Sequence, residues 1–205
     1  MTRRVSGFGV RGSGFGIRDV RLRDRLGPNM RVLFVGINPG LRSAALGHHF
    51  AGYSNRFWKL LYDAALVPRP VTWADDDEMP RWGYGITNLV PRATAGVGDL
   101  TTTELRAGRR TLLAKVRRWR PAVVALVGVT VYRALFGVTG RVRIGVADET
   151  LDGAPVFVLP NPSGRNARYS YSQMVAAYRT LHAIASKPLA APVTGPSGAS
   201  GSDER

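Results

Sequence analysis

The sequence contains no cysteine. That absence removes disulfides, cysteine-ligated zinc, iron–sulfur clusters and thiol catalysis together. Histidine is scarce, with three in the chain. Two of them, His48 and His49, are adjacent, but no third ligand stands at metal-site spacing, so no metal is expected. Nothing signals an organic cofactor either. Long apolar runs are missing: Ala122 to Val129 is among the longest, against the roughly 20 residues that a membrane-spanning helix needs. No membrane partner is expected. The Arg-rich N-terminus lacks the apolar stretch of a secretory signal, so a cytoplasmic location and a monomer are the expectations.

Acidic residues are also few. The 205-residue chain has 14 Asp and Glu against 29 Lys and Arg, a formal charge of +15. Such an excess favours a polyanionic partner, because each cation near a phosphate displaces condensed counterions. Solubility or an Arg-rich codon usage would give the same count, so charge alone does not decide the matter.

The chain divides by composition. Residues 1–29 hold seven Arg, two Asp and six Gly and read as a flexible basic arm. Gly7, Gly9 and Gly12 match G-x-G-x-x-G, but no strand precedes them and no helix follows, so the dinucleotide-binding context is missing. Residues 187–205 are rich in Pro, Gly, Ser and Ala and read as a disordered tail. Residues 30–186 form the expected domain, 44% of the whole chain being hydrophobic.

Inside that domain strand and helix signals alternate. Strands are expected at Arg31–Val35, Gly85–Val90, Ala122–Val127 and Val156–Leu159. Ser54 is expected to cap a helix carrying Phe57, Leu60, Leu61, Ala64 and Ala65 on one face. Thr101-x-x-Glu104 and Ser170-x-x-Gln173 are capping boxes. The first opens a helix that aligns Leu105, Leu112, Leu113, Val116 and Trp119 and stops at Pro121. The second opens one that turns Met174, Tyr178, Leu181 and Ala185 inward. A short helix is expected to end at Phe136. The alternation implies an α/β fold, a three-layer α/β/α sandwich on a short, mainly parallel sheet with right-handed crossovers. The acidic run Asp75, Asp76, Asp77 and Glu78 reads as a solvated helix start. Tyr169 and Tyr171 read as packing residues.

Ligands of such sheets bind beyond the carboxyl ends of the strands. Two loops lie there: Gly36-Ile37-Asn38-Pro39-Gly40 after the first strand, and Asn161-Pro162-Ser163-Gly164-Arg165-Asn166 after the last. Each sets an Asn-Pro pair near Gly. Asn, Pro and Gly dominate ordinary turns, but Gly also lets backbone approach a ligand and Asn can hold a water or read a base edge.

The stretch VLFVGINPGLRSAALGHHFAGYSNRFWKLLY, with LPNPSGRN downstream, resembles the mismatch-specific uracil-DNA glycosylase (Mug) and thymine-DNA glycosylase family. GINPG, NRFW and NPSG stand in the family order, and the resemblance runs from about Arg31 to about Leu181. It implies a three-layer fold and a monofunctional glycosylase. The enzyme would flip uracil from double-stranded DNA, best from G·U mismatches, and cut its bond to the sugar. Asn38 matches the Asn that positions the attacking water, Phe50 the aromatic that stacks on the flipped base, and Ser43 a position near carbon 5 of the base. Asn161 matches the pocket Asn; Gly36 and Ile37 are also expected in the pocket, with backbone N–H donors near Ile37 to stabilise the leaving base. Ser163, Gly164, Arg165 and Asn166 match the wedge that fills the gap left by the flipped nucleotide. Two departures broaden the expectation. Founding members carry Leu where this chain has Arg165, and Lys where it has Asn88. Asp99 aligns with an acidic family position and is a second candidate activator of water; a carboxylate at a helix start is the commoner role for such a residue. A different base specificity (thymine, hypoxanthine or xanthine) and a non-catalytic DNA-binding relative are the alternatives.

Overall fold

The computed structural model describes residues 21–186. Five strands form one sheet in the order β2-β1-β3-β5-β4: β1 Val32–Gly36, β2 Tyr84–Asn88, β3 Val123–Val127, β4 Gly145–Leu151 and β5 Ala154–Leu159. The first three and β5 are mutually parallel, and β4 runs antiparallel along β5. The helices are α1 Leu41–Leu46, α2 Phe57–Asp63, α3 Thr102–Trp119, α4 Val129–Phe136 and α5 Tyr171–Ala185, with a 3-10 helix at Trp73–Trp82. No helix among the described residues is long and apolar enough to cross a membrane.

Three layers follow from the alternation of side chains along the strands. Val32 and Phe34 of β1 pack with Leu60 and Leu61 of α2 and with Met174, Tyr178 and Leu181 of α5. Leu33 and Val35 pack on the other face, with Leu112 and Val116 of α3 and Val131 and Leu135 of α4. All five residues of β1 are buried, as expected for a central strand covered on both sides. From β1 the chain goes out to β2 on one side and returns to β3 on the other. The carboxyl end of β1 is therefore a topological switch point, the natural place for a crevice.

Both capping boxes are present, at Thr101 with Glu104 and at Ser170 with Gln173. Several expectations need correction. Ser54 does not cap α2: the N-cap is Arg56, without a side-chain cap, and the residue before it, Asn55, accepts from Phe57 N through Oδ1 at 2.9 Å; Ala65 lies past the helix in a left-handed conformation. The loop expected after β1 contains α1, only six residues long and begun by Gly40 without a side-chain cap. Strand β4 was not anticipated: it carries Asp148 and Glu149 and its burial alternates, as an edge strand permits. Its signal was the Asp152-Gly153 pair, both left-handed (φ 51° and 81°), the chemistry of a two-residue hairpin.

The expected arm, residues 1–29, lies partly outside the described residues. From residue 21 onward it is not free. Arg25 N donates to Ile86 O at 2.9 Å and Ile86 N to Arg25 O at 2.7 Å, so the segment pairs with the outer edge of β2. Asp24 accepts from Thr87 Oγ1 at 2.6 Å and meets Lys115 Nζ at 2.6 Å. The expected tail at 187–205 lies outside the described residues.

Candidate active site

Four strands converge on one cavity. Gly36 ends β1, Asn88 ends β2, Val127 ends β3, and Asn161 and Pro162 follow β5; all five line a cavity of about 210 Å³. Ile37, Asn38, Pro39, Ser43, His49, Phe50 and Asn55 complete much of its wall. The structure thus gathers Gly36, Ile37, Asn38, Ser43, Phe50, Asn88 and Asn161 from segments up to 125 positions apart.

The orientation of Asn38 is fixed by its acceptors. Its Nδ2 donates to Thr94 Oγ1 at 2.7 Å, Pro39 O at 3.1 Å and Arg92 O at 3.3 Å. Thr94 spends its own hydroxyl proton on Gly96 O at 2.6 Å, so towards Asn38 it can only accept. The amide nitrogen is therefore committed to the protein, and Oδ1 is the group that Asn38 can turn to a ligand. Arg92 is itself held, its Nε and Nη2 donating to Glu104 at 2.6 and 3.0 Å. That guanidinium, with Thr101 N, holds the Glu104 carboxyl down at about 2.

Asn88 is oriented the other way round. Its Nδ2 lies 3.3 Å from His49 Nδ1, while His49 Nε2 lies 2.9 Å from Arg23 O. A carbonyl can only accept, so Nε2 carries the proton and Nδ1 accepts from Asn88. Burial lowers the His49 pKa and favours this neutral ring. Asn88 then offers Oδ1 to the cavity. A side chain at Gly36 would put its Cβ 2.5 Å from that oxygen; only glycine there leaves Asn88 its place.

Phe50 forms the aromatic wall. It stacks on Phe57 with ring centres 4.0 Å apart and planes 26° off parallel. Its φ of 52° is unusual for a bulky residue. Neighbouring hydrogen bonds hold the turn: Ala51 N donates to Ser43 Oγ at 3.0 Å and Arg42 Nε to Ala51 O at 2.8 Å. At the rim the Arg42 guanidinium lies 3.6 Å from the centre of the Tyr53 ring, which is 90% exposed.

The loop after β5 is clamped to this rim. Arg56 N donates to Pro162 O at 2.9 Å, and a Cβ at Gly164 would collide with Ser54 at 2.5 Å. Inside the loop, Asn161 Oδ1 accepts from Ser163 N at 3.0 Å and Asn166 Nδ2 donates to Asn161 O at 2.8 Å. The Asn161 oxygen is used locally, so Nδ2 is what it can present to a ligand. Arg165 is exposed at the tip of the turn, its N donating to Ser163 Oγ at 3.3 Å.

One expected residue is not brought here. Asp99 is exposed in a short 3-10 turn, where its Oδ2 accepts from Gly96 N at 3.1 Å, and it is not part of the cavity wall. Tyr171 packs as expected, its hydroxyl donating to Asp63 at 2.7 Å. The acidic run does start a capped 3-10 helix, but it is not wholly solvated. Asp76 is fully buried and accepts from Arg25 Nε at 2.9 Å and His49 N at 2.8 Å, with His48 Nδ1 at 2.9 Å. It thereby holds the His49 segment and the residue 21–25 segment together. His49, Thr94 and Leu22 are site residues that sequence reasoning missed: the first two act through contacts across 26 and 56 positions, and Leu22 reaches the cavity from a segment that carries no motif.

The cavity presents an acceptor from Asn88, a donor from Asn161, an aromatic wall and an amide oxygen at Asn38, on a chain of strongly basic charge. The sequence profile of the uracil DNA glycosylase superfamily matches residues 24–182, a span that contains all of these residues. The chain therefore belongs to the uracil DNA glycosylase superfamily, glycosidases that act on DNA in base excision repair.

Proposed function

We propose that the protein is a monofunctional uracil-DNA glycosylase of the Mug and thymine-DNA glycosylase branch, acting best on uracil in G·U mismatches. The observation that carries this reading is the fixed pair of amides. Asn88 Oδ1 accepts and Asn161 Nδ2 donates, which complements a ring N–H beside a carbonyl. Uracil, thymine, hypoxanthine and guanine carry that edge; cytosine and adenine have no ring N–H. A cavity of about 210 Å³, roughly seven waters at ~30 Å³ each, has room for one flipped base. Phe50 supplies the stacking face.

A base inside a duplex cannot reach such a cavity, so the nucleotide swings out, at a cost of a few kcal/mol that is smallest at mismatches. Arg165, exposed on the turn that follows the cavity-lining Asn161 and Pro162, would fill the gap that the nucleotide leaves in the stack. In the chemical step a water oxygen bonds to the sugar carbon as the carbon–nitrogen bond breaks, and the base leaves with the bonding pair. Asn38 Oδ1 accepts a hydrogen bond from that water and orients it. An amide is not a base, so the water proton passes to solvent or the departing base. Negative charge grows on the base, where the Asn161 amide and the backbone of the Gly36–Asn38 turn offer donors. No lysine lines the cavity among the described residues, in keeping with hydrolysis rather than an amine-linked intermediate.

The test is uracil release from a G·U duplex in excess EDTA, with strand cleavage only after alkali. Asn38→Ala should lower the single-turnover rate by ~10²–10⁴ and leave DNA affinity, carried mainly by phosphate contacts, within a few-fold. Failure of the wild-type protein to release uracil refutes the reading. A broader specificity that takes in thymine has one point in its favour: Asn88 stands where founding members carry Lys.

A further inference from the structure

Part of the cavity wall comes from outside the matched family span. That match begins at residue 24, yet the cavity wall includes Leu22, a residue only 8% exposed. The neighbouring Arg23 carbonyl sets the ring protonation of His49 at 2.9 Å.

This strap, residues 21–25, is anchored on both sides of Leu22. Arg21 bridges Arg92 in antiparallel fashion. Arg25 exchanges backbone hydrogen bonds with Ile86 at 2.9 and 2.7 Å and reaches buried Asp76 at 2.9 Å and Gly47 O at 3.2 Å. Asp24 sits between Thr87 and Lys115, whose Nζ also donates to Thr87 Oγ1 at 2.8 Å. Every one of these anchors lies on the strap's backbone or on residues other than Leu22. The leucine side chain therefore serves the cavity wall, and the strap cannot swing aside to admit a larger ligand without breaking the antiparallel pairing and a buried ion pair.

We propose that Leu22 is the size gate of the base pocket, restricting it to single-ring bases. The inference rests on the glycosylase reading. Uracil has eight non-hydrogen atoms and hypoxanthine ten, and both present a ring N–H beside a carbonyl to Asn88 and Asn161. Leu22→Ala removes three carbons from the wall, enough for the two added atoms. Discrimination by one methylene in an apolar pocket is typically ~10–200-fold, which sets the scale of the effect.

The experiment uses the full-length protein and duplexes of one sequence carrying uracil or hypoxanthine opposite thymine. Single-turnover excision is compared for wild type, Leu22→Ala, Leu22→Val and Leu22→Met. Binding is measured in parallel on 2′-fluoro versions of both nucleotides, which resist cleavage. Leu22→Ala should raise the hypoxanthine-to-uracil ratio at least tenfold in both assays. Leu22→Val should raise it less, and volume-conserving Leu22→Met should leave it within threefold. A partly unfolded sample lowers both substrates alike and cancels from the ratio, so a purely structural role for Leu22 would not move it. An unchanged ratio in Leu22→Ala and Leu22→Val overturns the gate. Absence of excision by the wild type, with the binding ratio still shifting in Leu22→Ala, refutes the glycosylase chemistry and leaves the gate standing.

Discussion

Gly36→Ala separates the site from the fold. An alanine Cβ at the end of β1 would lie 2.5 Å from Asn88 Oδ1 and 3.5 Å from Phe50 Cζ. The second distance is ordinary contact; the first is a collision. Asn88 must rotate away, giving up its 3.3 Å contact with His49 Nδ1 and withdrawing its acceptor from the base edge. The backbone does not object, since Gly36 is not among the left-handed glycines. Replacing glycine at a compatible position stabilises by roughly 0.4–1 kcal/mol through the unfolded chain, and a displaced side chain costs roughly 0.5–1.5 kcal/mol. Global stability should therefore stay within about 1 kcal/mol of wild type. Loss of one hydrogen bond, with a polar group of the bound base left unpaired, is worth about 1.5–4 kcal/mol. That is a rate loss of roughly 10- to 10³-fold at 1.4 kcal/mol per decade. Urea unfolding and single-turnover uracil excision are measured on the same preparation. Excision within threefold of wild type would refute the role given to Asn88, and a stability loss above about 3 kcal/mol would refute the claim that the collision is local.

Asp99→Asn keeps an oxygen for Gly96 N and lies away from the cavity wall; excision should stay within threefold, and a loss beyond about tenfold (1.4 kcal/mol) would restore Asp99 as an activator of water. Burial lowers the His49 pKa from its ordinary 6.5, so below pH 6.5 the unfolded chain binds a proton that the folded chain resists. Stability should then be full above 6.5 and fall as pH drops below it, with His49→Gln flattening that slope in pH-dependent urea melts; an unchanged slope would contradict the neutral ring. Arg165→Ala should damage excision most on A·U pairs, less on G·U and least on single strands, because a wedge matters only where a stacked base must be held out; equal losses on all three would reduce Arg165 to a phosphate contact.

Sequence periodicity and caps alone determined the layers of this protein. Buried runs at 32–36 and 123–127, the capping boxes at Thr101 and Ser170 and the stripe Met174, Tyr178, Leu181 are local patterns whose physics is complete within a few turns. The loops at Asn38 and Asn161 were legible for the same reason, since each motif is contiguous and stands at a strand end. Tertiary structure decided what those motifs mean to a ligand. A carboxamide is ambiguous in sequence, because either end can face the cavity. Its orientation is settled only by partners such as Thr94, 56 positions from Asn38, and His49, 39 positions from Asn88. Likewise residues 21–25 read as part of a basic arm until the open edge of β2 is there to pair with them. Asp76 looked like one carboxylate in a solvated run until folding buried it against Arg25 and His48. Backbone and hydrophobic preferences act over neighbouring residues, whereas hydrogen-bond direction, burial of a charge and the size of a cavity exist only once distant segments meet.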